Sequence, residues 1–314
     1  MNFSTVIFSL IFSLITFQAH AQMGLTSVKV GYTLPTLQTT LTGPAGPDIK
    51  YQPAPQNRYG VGLNFGPCLL FINANSASSS DVVKYGETNV SGASFLFYGE
   101  FHTFDLSYER YEGFNINNSE EVSPGWSSPN RIQRPDIVKD KFRFKYQYTW
   151  SPQDFSLGIF EQSVVPENSG GSFVIGAQAS QKGLSGTTPL VPTTQTASYG
   201  AMGNLREVKM TTVQAGLGGG YVFEWERFYL AWYGMLWGGP QSQALTFGAA
   251  GATTTNETGS VFALGYDARA SIGYNADHFF TALNFVREYQ KQEVSSGYLV
   301  TTDDEASIWL GWRF

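Results

Sequence analysis

Cysteine is almost absent from this 314-residue chain: Cys68 stands alone, so no internal disulfide can form. Histidine is nearly as scarce. His20, His102 and His278 lie far apart and give no zinc-ligand spacing. Charge is sparse too, with Asp, Glu, Lys and Arg making up 14% of residues, and the 25 acids outnumber the 19 bases. A chain with a formal net charge of −6 does not read as a nucleic-acid binder. Long apolar runs are missing as well. Val6–Phe17 is shorter than the ~20 residues that a membrane-crossing helix needs, and no later run is longer. With a mean hydropathy of −0.16, a helical membrane protein is excluded. A protein that crosses with strands is not, because a barrel strand shows only every second residue to lipid.

The two ends of the chain are informative. After Val6–Phe17 comes Ala19-His20-Ala21, a small-x-small cleavage site. Residues 1–21 are therefore expected to be a secretory signal cut before Gln22, with 22–314 forming a single β domain. At the other end Ala306, Ile308, Leu310, Trp312 and Phe314 alternate with Ser307, Gly311 and Arg313, and only Trp309 breaks the pattern. Period two marks a strand. An exported chain that stops on an aromatic resembles the closing strand of outer-membrane β-barrels. That resemblance implies that Phe314 is read by the barrel assembly machinery and that the protein sits in the outer membrane of a Gram-negative-type bacterium.

Alternation recurs between the ends. It is clearest in Lys141–Trp150, where Phe142, Phe144, Tyr146, Tyr148 and Trp150 interleave with Lys141, Arg143, Lys145, Gln147 and Thr149. Further runs begin at Val28, Tyr59, Phe95, Phe104, Phe155, Phe173, Val213, Phe228, Phe262 and Phe279. Aromatics at 15% and 34 glycines suit such a fold. Short turns near 101, 152, 225 and 276 contrast with polar stretches at 76–90, 115–140, 181–206 and 248–259. The pattern predicts an all-β, transmembrane, antiparallel up-and-down barrel of 10–12 strands. From Tyr59 onward the runs number 11, whereas a barrel with both ends on one side needs an even number. The discrepancy is expected between Phe155 and Arg206.

Several short motifs are shared with a known group. They are Phe104-Asp105-Leu106-Ser107-Tyr108 with Tyr111-Glu112-Gly113-Phe114, Arg134-Pro135-Asp136-Ile137, Lys141-Phe142-Arg143-Phe144, Ser169-Gly170-Gly171-Ser172-Phe173, and Ile272-Gly273-Tyr274-Asn275 with His278-Phe279-Phe280. From about Tyr59 to the end the chain resembles an uncharacterised family of bacterial barrels, catalogued as a domain of unknown function and frequent in the Bacteroidetes. Glu161-Gln162-Ser163-Val164 departs from that family's usual basic Gln-Lys-Lys-Ser run. The resemblance implies fold and location and brings no catalytic residues.

Chemistry is thin along the chain. Asp277-His278 invites comparison with membrane-embedded proteases, but it lies at an expected periplasmic turn, and an interfacial turn histidine is the plainer reading. Leu217-Gly218-Gly219-Gly220 lacks the Lys-Ser/Thr of a phosphate loop and sits in a strand pattern, where glycine permits close approach. Asp303-Asp304-Glu305 reads as a solvated acidic loop with at most weak affinity for a cation such as Ca²⁺. No cofactor is expected. The inward phase of the strands is more informative. It places Asp105, Glu109, Lys141, Arg143, Lys145, Asp267, Arg269, Glu288 and Arg313 toward a lumen. Charges of both signs there imply either a salt-bridged filling or a lined pore. The expected partners are outer-membrane lipid, the assembly machinery and small polar solutes. The expected function is a narrow channel or uptake barrel, with a non-conducting structural or surface-interaction barrel as the alternative and a membrane-embedded hydrolase third.

Overall fold

A computed structural model describes residues 25–314 apart from 77, 167 and 250–252. The expected export signal lies outside the described residues. The wall is built from β1 (Leu25–Thr42), β2 (Ile49–Gln52), β3 (Asn57–Phe65), β4 (Cys68–Ser76), β5 (Asn89–Tyr98), β6 (His102–Ile116), β7 (Ile132–Thr149), β8 (Gly170–Ser185), β9 (Leu205–Trp225), β10 (Phe228–Phe247), β11 (Thr255–Asn275), β12 (Phe279–Val294) and β13 (Gly297–Arg313). All pairings are antiparallel. β13 returns to β1 along a ladder from Ser27↔Arg313 to Thr42↔Tyr298, so the sheet closes on itself. Closure leaves the sequence-terminal strands no free edge between them.

β2 and β3 are two halves of one wall strand. Both run antiparallel to the same flank of β1, β2 against Thr39–Leu41 and β3 against Leu25–Thr33. Between them stand Pro53 and Pro55, which have no N–H to offer a ladder. The wall therefore has twelve positions, and both chain ends lie on one rim. The count of 11 from Tyr59 onward stands, because two misreadings cancel, and it is β1, which holds Val28–Leu34, and not a miscount between Phe155 and Arg206, that makes the number even. Phe155, Leu157 and Ile159 belong to no strand: Leu157–Glu161 is a 3-10 turn within a long connection at 150–169. Conversely, Cys68–Ser76 is a strand of its own. With Val28–Leu34 inside β1, the short turns at 66–67, 99–101, 226–227 and 276–278 all fall on the rim that holds Phe314.

The surface is inside out relative to a water-soluble protein. Phe173, Leu236 and Phe314 are each more than 70% exposed, and outward Leu217, Phe262, Leu264, Ile308 and Leu310 continue a band around the wall. Trp150, Trp225, Phe228 and Trp312 ring the short-turn rim. An apolar band edged by aromatics is the outer surface of a membrane-spanning barrel.

Candidate functional site: a charged chamber between two plugs

Both ends of the lumen are filled with apolar side chains. At the short-turn end part of the connection at 150–169, Phe155 to Val164, folds back inside. Phe155 and Phe160 are buried there against Val222, Tyr229, Tyr233, Met235 and Trp237. The Ser156 hydroxyl accepts from the Gly158 amide, and Gln162 ends the turn in the left-handed region at φ 59°. Gly220 makes room for this plug, because a Cβ at that position would lie 2.2 Å from Phe155 Cζ. The triple glycine thus serves close approach, though of a plug ring and not only of a strand.

At the long-loop end, Leu190, Val191, Tyr199 and Met202 from the connection at 186–204 pack with Val122, Leu41, Tyr51 and Phe114. The Tyr51 hydroxyl donates to the Leu190 carbonyl. The Tyr199 hydroxyl donates to the carbonyls of Leu41 (3.0 Å) and Pro47 (2.7 Å). Burial raises its pKa above the ordinary tyrosine range, which keeps it a donor.

Between the plugs the wall turns charged side chains inward. Lys145 Nζ lies 2.5 Å from Asp267 Oδ2, which also accepts from Trp237 Nε1 at 2.9 Å. Arg143 bridges Asp105 (2.7 Å) and Glu288. Lys141 Nζ is 2.8 Å from Glu288 and 3.8 Å from Asp303. Strand register only sets neighbours: Asp105 stands opposite Lys145 and Glu109 opposite Lys141 across the β6–β7 ladder, yet neither facing pair is an ion pair, and Asp105 reaches diagonally to Arg143. The rest crosses the lumen: Lys141 and Glu288 are 147 residues apart in sequence. A cavity of about 420 Å³ remains, lined among others by Asp105, Glu109, Lys141, Arg143, Glu288 and Asp303.

Of the nine residues expected to face inward, Asp105, Lys141, Arg143, Lys145, Asp267 and Glu288 form this one network. Arg269 lines the same cavity but pairs outside the network, 3.7 Å from Glu161 of the lower plug. Glu109 lines the cavity and has no ion pair among the described residues. Arg313 sits apart at the short-turn rim, where it donates to Asn275 Oδ1 at 2.9 Å and stacks over Phe280.

The sequence reading missed several members. Lys29 (3.4 Å from Glu161) and Arg58 (3.5 Å from Glu305) follow the inward phase of their strands and were legible from it. Asp303 and Glu305 correct the expected acidic loop: they lie inside β13 and face in, while Asp304 faces out and pairs with Arg287 at 2.7 Å. No periodicity marks Glu161, which belongs to the plug.

His278 stacks on Trp312 at the short-turn rim, with ring centroids 5.6 Å apart, and the neighbouring Asp277 lies 3.8 Å from Arg227. Cys68 is half-buried at the turn between β3 and β4.

A family model described as "Domain of unknown function (DUF4421)" matches residues 21–314. No curated protein matches the sequence. Among solved structures, the outer membrane protease OmpT from Escherichia coli is similar at 7% identity, covering 93% of this chain and 98% of that one, with a TM-score of 0.42. The toluene transporter TodX of P. putida is similar at 8% identity, with 92% and 90% coverage and a TM-score of 0.31. The toluene transporter TbuX of Ralstonia pickettii is similar at 10% identity, with 93% and 90% coverage and a TM-score of 0.31.

Proposed function

We propose, from the premise that this chain belongs to the DUF4421 family, that it is an outer-membrane barrel, exported by a signal cut before Gln22, that takes up a small polar solute through a lumen closed at rest. One observation carries the reading: the 420 Å³ chamber of mixed charge kept between two apolar plugs. Barrels of about eight strands are filled by side chains, and those of about 16–18 leave an open channel. At twelve positions the side chains decide. An apolar filling of the middle would avoid the desolvation cost that each buried ion carries. Retaining a charged, roomy middle layer fits a binding chamber for a polar guest better than a filler.

Single-channel recording in planar bilayers tests this. The unmodified protein should show at most low conductance. Replacing Arg143 and Lys145 with Ala removes two lumen cations and should raise conductance or shift its preference toward cations. Porin-like conductance in the unmodified protein would refute the closed lumen. No conductance in either form would favour a non-conducting structural or surface-interaction barrel, a reading that the two plugs themselves recommend.

A further inference from the structure

The wall is not paired all the way round. β4 and β5 share only three rungs, Cys68↔Phe97, Leu69↔Leu96 and Leu70↔Phe95. Yet β4 stays paired with β3 up to Ser76, and β5 with β6 up to Asn89. Above the last shared rung, residues 71–76 and 89–94 present two strand edges to each other without a ladder. The gap does not run to the rim. β2 pairs directly with β6 through Tyr51↔Ile116 and Gln52↔Asn115. Below that, the Ala54 amide donates to Thr88 Oγ1 at 2.8 Å, and Thr88 Oγ1 donates to the Gly113 carbonyl at 2.8 Å. The opening is a window in the barrel wall, and the chamber reaches it: Phe71, Asn73 and Asn75 of β4 and Val90–Ser94 of β5 line the same cavity as the ion network.

The window's level follows from its outward neighbours. Along its lower side face Leu70, Phe95 and Ile72, the last 60% exposed. Toward its top, Ser91 and Asn89 pair with Arg110 and Glu112, which form an outward ion pair at 2.6 Å. The window therefore spans the border between apolar band and polar rim on the long-loop side. Bare strand edges are not tolerated against hydrocarbon; they occur at membrane depth only where they line a polar or water-filled space. One lip is kept low by Ser91, Gly92, Ala93 and Ser94. The occupant must bring a polar group to this depth while standing in lipid. Six carboxylates against four cations line the chamber. Glu109, opposite Gly92 at the window, has no ion-pair partner among the described residues, whereas Arg58 is engaged by Glu305 and Asn75.

We propose that the β4–β5 window is a lateral entry site for a membrane-borne amphiphile with a small ammonium-bearing head. The head passes between the strand edges to Glu109, and the tail stays in lipid along Leu70, Ile72 and Phe95. This rests on the reading of the chamber as a binding site and goes beyond the uptake of a small polar solute, in both the guest and its route through the wall.

The test uses the full chain purified in a non-ionic detergent, with native mass spectrometry counting bound tetradecylamine, tetradecyl sulfate or ethanolamine. One tetradecylamine per barrel is expected. Glu109→Gln should weaken it about tenfold, the loss of one charge-assisted contact. A Cys68→Ser protein carrying Ile72→Cys and Ala93→Cys, bridged by a short bifunctional thiol reagent, should lose the amine, while its unbridged form retains it. Ser94→Phe, which fills the lip without chemistry, should lose it too. Amine binding that survives both closures overturns lateral entry. Tetradecyl sulfate bound as tightly as the amine overturns the ammonium class. Ethanolamine bound as tightly as tetradecylamine places the source in solution and overturns the membrane route. Failure of the chamber reading itself shows separately, as absent conductance in an Arg143→Ala/Lys145→Ala protein that heat-modifiable migration shows to be folded.

Discussion

Replacing Lys145 with Met should destabilise the barrel far more than deleting an ion pair on its outer face. The Lys145 side chain is 1% exposed and that of Asp267 is 9% exposed, with Nζ and Oδ2 2.5 Å apart. Methionine fills nearly the same space, so the perturbation is the charge alone. The Asp267 carboxylate would keep the Trp237 Nε1–H bond but lose the cation beside it. Removing one partner of a buried pair typically costs about 3–5 kcal/mol, because the remaining charge stays buried and uncompensated. Arg287 offers the contrast: it pairs outward with Asp304 and is 55% exposed. Arg287→Ala should cost less than about 1 kcal/mol, as solvent screens such pairs. Adding Asp267→Asn to Lys145→Met removes the orphaned charge and preserves an acceptor for Trp237. The double variant should recover to within about 1–2 kcal/mol of the parent, a strongly non-additive cycle. Urea unfolding in detergent followed by tryptophan fluorescence reads the free energies, and heat-modifiable migration reads the folded fraction. A Lys145→Met cost under about 1 kcal/mol, or a double variant equal to the sum of its parts, would refute the claim that this layer is dry enough for pairing to matter.

Other outcomes follow from the same structure. Phe155→Ala empties part of the lower plug and should cost about 3–5 kcal/mol while raising single-channel conductance; unchanged conductance would mean that the 150–169 segment does not occlude the lumen. Gly220→Val drives a side chain into the Phe155 site and should displace the same plug, seen as faster proteolysis of that segment in the folded barrel. Deleting Phe314, or changing it to Asp, should impair membrane assembly far more than His278→Ala; normal heat-modifiable migration of the Phe314 variants would count against the terminal aromatic as assembly signal. The mature protein should fractionate with outer membranes and resist carbonate extraction, and recovery as a soluble periplasmic protein would sink the location.

Much of the wall was written in the order of residues. Side chains alternate across a strand because the backbone forces them to, so Lys141–Trp150 carries both its strand state and its inward phase within ten residues. The same local rule marks Asp105, Asp267 and Glu288 as lumen-facing without any knowledge of their partners. The turns near 101, 225 and 276 came with it, because strands end where the alternation does, whereas the short turn expected near 152 opens the plug connection and the turn at 66–67 was missed. What alternation cannot say is whether an apolar run lies in the wall or inside it. Phe155, Leu157 and Ile159 match a strand template but form a plug, since burial in a lumen and exposure to lipid reward the same residue types. Nor does a local pattern contain closure. The Lys141–Glu288 contact, the direct β2–β6 pairing behind the Pro53/Pro55 break, and the window left where β4 and β5 separate depend on how many strands close the ring and how they are staggered. Those are properties of the whole circuit of hydrogen bonds, and only the folded ring determines them.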